Sequence, residues 1–78
     1  MILRLLSKPK DFTWQELEKL LGGLGYELAT AGKTGGSRAR FVHEQHPPIM
    51  MHKPHPRPIL KQYQIEDIIE LLTREGLL

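Results

Sequence analysis

Four histidines, His43, His46, His52 and His55, fall in the same stretch of chain as Arg38, Arg40, Lys53 and Arg57. Imidazole changes charge near neutral pH, so histidines set among permanent cations point to acid and base catalysis on an anionic substrate. RNA asks least of such groups. Its 2′-hydroxyl is an internal nucleophile, so a base to take that proton, an acid for the leaving oxygen and a cation for the charged phosphorus suffice without a metal ion. His52 and His55 are the candidates for proton transfer, with Arg38, Arg40 or Lys53 stabilising charge. Two arginines spaced by one residue on a strand project the same way, and two parallel guanidinium forks suit a polynucleotide backbone. The plainer alternatives are solvated arginines, or arginines meeting an acidic protein, with the histidines as spacers in a proline-rich loop.

Lys33, Gly35, Gly36 and Ser37 precede the arginines. Glycine amides beside a cation can cradle a phosphate, although a hairpin turn also needs glycine for conformation alone. Lys33, Gly36, Ser37, Arg38, Arg40 and Lys53 are therefore the candidate RNA contacts. The pairs His43/His46 and His52/His55 each leave two residues between possible metal ligands, but the chain holds no cysteine and nothing preorganises a tetrahedron there. No metal or other cofactor is assigned.

The formal net charge of +2 hides a segregation of sign. Residues 1–10 carry three cations, and 11–32 are acidic through Asp11, Glu16, Glu18 and Glu27. Residues 33–61 set six lysines and arginines against Glu44 alone, and 62–78 are acidic again. A basic stretch so concentrated in an otherwise acidic chain is the footprint of a polyanion-binding face. With 78 residues the chain makes one small domain, expected over 11–78 with 1–10 as an N-terminal extension, and a two-domain cleft is excluded. The first residues are too short for a secretory core, and no apolar run approaches the ~20 residues of a membrane span. A cysteine-free chain of this kind is expected in the cytoplasm.

Positioning these groups falls to five elements. Thr13 as N-cap with Glu16 three residues on predicts a capping box, and Phe12 packing on Leu17 a staple, at the start of a helix that carries Leu17, Leu20, Leu21 and Leu24 on one face. Gly22, Gly23 and Gly25 end it. Alternation over 26–30 and 37–43 predicts a hairpin, and Ile49 to His52 a third short strand after Pro47 and Pro48. Ile65, Ile68, Ile69 and Leu72 predict a second helix over about 61–75, stopped at Gly76. Helix, three antiparallel strands and helix make an α+β layout, with both helices on one sheet face and the other face open. If Ala39, Phe41, Ile49 and Met51 point to the helices, then Arg38, Arg40, Met50 and His52 share the outer face. Trp14 is expected in the core, and Leu3 and Leu6 either extend that core or meet a partner.

The run Gly35, Gly36, Ser37, Arg38, Ala39, Arg40, Phe41, with His52, Lys53, Pro54, His55, Pro56 and the ending Glu75, Gly76, Leu77, Leu78, resembles the HicA toxins over about residues 13–78. Those are small toxins of bacterial toxin-antitoxin pairs, with a double-stranded-RNA-binding-domain-like fold, which cleave RNA and are neutralised by the antitoxin HicB. The resemblance implies an endoribonuclease acting on mRNA, with a HicB-like antitoxin as its partner. HicA toxins usually carry their catalytic histidine immediately or one residue after the Gly-Ser pair, and here those positions hold Arg38 and Ala39. Proton transfer then falls to His52 or His55, the latter matching the family's proline-histidine segment. A noncatalytic RNA-binding domain and a protein-binding module are the two alternatives.

Overall fold

The computed structural model describes residues 2–29 and 38–78. Its elements run α1 (Ile2–Leu6), α2 (Trp14–Gly23), β1 (Glu27–Ala29), β2 (Arg38–Val42), β3 (Ile49–His52) and α3 (Gln62–Arg74). The strands form one antiparallel sheet in the order β1-β2-β3. This is the α-β-β-β-α arrangement expected from the sequence, preceded by a short extra helix.

Each main helix starts where its polar side chains say it should. Thr13 accepts the Glu16 N–H at 3.1 Å and the Glu16 carboxylate accepts the Thr13 N–H at 3.1 Å, which closes the capping box and satisfies two otherwise orphaned donors. Phe12 and Leu17 are both buried beneath it. At α3 the Gln64 side chain accepts the Lys61 N–H at 2.9 Å, serving the same purpose from inside the helix. Gly25, at φ +99°, and Gly76, at φ +76°, turn the chain out of the two helices through a conformation that favours glycine.

The core lies between the helices and one sheet face. Trp14, Leu17, Leu20 and Leu21 of α2 meet Ile65, Ile68 and Leu72 of α3 and Phe41 and Ile49 of the sheet. Trp14 stacks on Phe41 at 5.6 Å between ring centroids and is a core residue, as expected. Phe41 is 1% exposed, and its truncation to alanine would cost about 3–5 kcal/mol. From α1 it is Leu5 that enters this core, while Leu3 and Leu6 stay exposed. The loop after β3 returns to the start of α2 through an isolated bridge between Thr13 and Ile59, with Trp14 N–H donating to Pro58 and Leu60 N–H to Phe12, both at 2.8 Å.

Candidate functional site

Strand parity decides which side chains a ligand can reach. Phe41 and Ile49 are buried, and Ala39 and Met51 are partly buried against the core. Alternation then sends Arg38 and Arg40 of β2, and Met50 and His52 of β3, to the opposite face, where all four are exposed. Register pairs Arg38 with His52 and Arg40 with Met50 across the two strands. Directly opposed residues stand ~5 Å apart at Cβ, so one phosphodiester can span the guanidinium of Arg38 and the imidazole of His52. Among the described residues, neither Arg38 nor Arg40 makes an ion pair.

His52 is fixed from behind. The buried side-chain amide of Gln64 donates to the His52 carbonyl at 3.0 Å while its oxygen accepts from Lys61, so one side chain ties the end of β3 to the start of α3. Lys53, His55 and Arg57 follow in an exposed loop. Three of the expected RNA contacts, Lys33, Gly36 and Ser37, lie outside the described residues.

The other two histidines have structural partners that no local pattern announces. The Gln45 N–H donates to His43 Nδ1 at 2.9 Å, so the ring proton sits on Nε2 and is donated to the Leu24 carbonyl at 3.0 Å. That ring fills the space over Gly25, where a Cβ would come within 2.6 Å of Nε2. His46 Nδ1 lies 2.9 Å from the Glu75 carboxylate, which joins the loop after β2 to the C-cap of α3. Tyr26 stacks edge-on to His43, His43 edge-on to His46, and the Tyr26 hydroxyl donates to the Pro47 carbonyl. Burial, with the nearby charge of Glu75, raises the Tyr26 phenol above its ordinary value. Among the described residues, no three His, Cys, Asp or Glu side chains cluster as metal ligands do.

Beside the basic face, a groove of about 630 Å³ opens between β3 and α3. Ile49 and Ile68 contribute apolar lining, Met50 and Tyr63 flank it, and Arg38, His52 and Asp67 bring charge or hydrogen-bonding capacity to it. Strand alternation could place His52 and Arg38 on one face, but the groove was not legible in the sequence. It is made by the approach of β3 and α3, which no local periodicity encodes.

Among the described residues, no helix is long and apolar enough to cross a membrane. The family model described as HicA toxin of bacterial toxin-antitoxin matches residues 14–73, from the first residue of α2 to within one residue of the end of α3. No curated protein and no solved structure matches the chain.

Proposed function

This chain belongs to the HicA toxin family of bacterial toxin-antitoxin systems, and from that premise we propose that it is a cytoplasmic endoribonuclease that cuts mRNA without a metal ion. The observation that carries the reading is the pairing of Arg38 with His52, next to Arg40, on an exposed sheet face whose arginines have no ion-pair partner among the described residues. Phosphates of the RNA lie along Arg38 and Arg40, with Lys33, Gly36, Ser37 and Lys53 extending the track. The 2′-oxygen then attacks phosphorus as its proton passes to one imidazole. The P–O5′ bond breaks as the second imidazole protonates the departing oxygen, which leaves a 2′,3′-cyclic phosphate and a free 5′-hydroxyl. His52 and His55 fill these two roles, and Arg38 stabilises the charge that builds on the phosphoryl oxygens. A HicB-like antitoxin, the partner implied by the family, covers the same basic face.

Cleavage of RNA by the purified protein in the presence of chelator tests the reaction. His52→Ala and His55→Ala should each slow it by about 100-fold, and cleavage untouched by both substitutions removes the proton-transfer assignment. Five cations on the backbone, Lys33, Arg38, Arg40, Lys53 and Arg57, predict that log K falls against log salt with a slope of about −3.5. A flat salt response eliminates RNA as the ligand. Induced expression should arrest growth, and co-expression of the neighbouring antitoxin should relieve it.

The presence of Arg38 and Ala39 where the family usually carries its histidine favours one second reading, an RNA-binding domain that does not cut. Salt-dependent binding with no cleavage by any form identifies it.

A further inference from the structure

We propose that the groove between β3 and α3 is a nucleobase subsite that takes a guanine of single-stranded RNA, with Tyr63 as its stacking platform and Asp67 as the acceptor for its Watson–Crick edge. The inference rests on the RNA reading above and adds to it which base the site prefers. Three observations converge on this groove.

The first is continuity. Arg38 and His52 line the groove and also stand on the outer sheet face, so a strand whose phosphates follow the arginines passes the mouth of the groove. A base turned toward α3 from that path enters the groove without the backbone leaving its cations.

The second is an exposed aromatic surface beside an apolar floor. Tyr63 and Met50 are each 59% exposed, while Ile49 and Ile68, which also line the groove, are at most 4% exposed. Single-stranded RNA is held by stacking its unpaired bases on aromatic side chains, and a volume of about 630 Å³ accommodates one nucleotide.

The third is the sign of Asp67. A carboxylate beside a polyanion track repels phosphate, so the place of Asp67 in the groove lining suits a ligand group that donates hydrogen bonds. Tyr63 and Asp67 are four residues apart on α3, one turn along the same face, so a base stacked on the first presents its edge to the second. Guanine is the one RNA base with two adjacent donors, N1–H and the N2 amine, which a carboxylate accepts in a bidentate pair. Adenine and cytosine set one amine beside an acceptor, and uracil sets its single N–H between two carbonyls.

The test measures binding of 2′-O-methyl oligonucleotides of six residues, which lack the attacking hydroxyl, by fluorescence anisotropy with the full chain. A uridine tract carrying one guanosine should bind about tenfold more tightly than uridine alone, and Asp67→Asn should erase that preference. Tyr63→Ala should weaken binding of the guanosine oligonucleotide about tenfold, as loss of a base–aromatic stack does, and Tyr63→Phe should restore it. Both positions are exposed and their variants keep the fold, which circular dichroism checks. Salt-dependent binding with no guanosine preference, or a preference that survives Asp67→Asn, overturns the subsite and leaves the RNA reading standing. No binding of any oligonucleotide at low salt overturns both. If Tyr63→Ala spares RNA and instead weakens capture by the antitoxin, the groove is a protein-docking surface and the proposal falls.

Discussion

Arg4 in α1 and the pair Arg38 and Arg40 in β2 are the same side chain in opposite circumstances. Arg4 donates to Glu16 and, at 3.1 Å, to the Asp11 carboxylate and the Asp11 carbonyl, and it lies 5.6 Å from the centre of the Phe12 ring. Its guanidinium holds the Glu16 carboxyl down to about 2 from an ordinary 4.5, with help from the Thr13 N–H. That arginine is consumed by architecture: it fastens the N-terminal helix to the capped start of α2. Arg38 and Arg40 stand on a strand whose other face is packed by Phe41, and among the described residues no carboxylate meets them. A guanidinium left with its donors uncommitted is worth little to the fold and much to an anionic ligand. On the proposed function the two regions separate stability from binding, and substitutions in each should move one quantity and spare the other.

The largest effect belongs to the open face. Replacing Arg38 and Arg40 together by alanine should weaken RNA binding by about 100-fold and flatten the salt slope by roughly 1.4, since each phosphate contact carries about 0.7. Unfolding free energy should stay within about 0.5 kcal/mol of the parent in urea. A comparable loss of stability would mean the arginines are structural after all, and the contrast with Arg4 would collapse.

Next come changes on the closed side of the molecule, where RNA affinity measured well below the melting temperature should not move. Gly25→Ala puts a side chain into a left-handed backbone and into the His43 ring, and should cost roughly 2 kcal/mol in urea unfolding. Thr13→Ala removes the acceptor of the capping box and should cost about 1 kcal/mol. An affinity loss from either one, at equal folded fraction, would couple the two regions and blur the distinction.

The smallest effect is a pH limb. A carboxyl held lower in the folded state than in the unfolded one contributes stability that is complete above about 4.5 and drains away as pH falls toward about 2. Denaturant midpoints should therefore fall across that window, and Arg4→Gln should make the fall shallower because it removes the main cause of the low Glu16 value. An unchanged limb in Arg4→Gln would show that Arg4 and Glu16 are not coupled in solution.

The sequence carried the elements whose signals are local. Thr13 and Glu16 mark the start of α2, Pro47 and Pro48 set off β3 at Ile49, and the isoleucines and leucines of α3 recur at helical spacing. Parity put Arg38, Arg40, Met50 and His52 on one surface because a strand has only two faces. What stayed illegible depends on partners far apart in the chain. His43 meets Leu24, His46 meets Glu75 and Gln64 meets His52 through tertiary approach alone. A five-residue helix is likewise too short to announce itself by periodicity, so α1 and the burial of Leu5 emerge only once Arg4 is seen bridging to Glu16.

Gln64 has one more consequence. Because its amide grips the His52 carbonyl, the imidazole swings from an anchored pivot through two torsions only, and its reach is a short arc beside Arg38. His55, further along an exposed loop, has no such mooring in the described residues. On the proposed reading, a scissile linkage delivered to this surface meets one histidine whose backbone is anchored and another whose backbone is not.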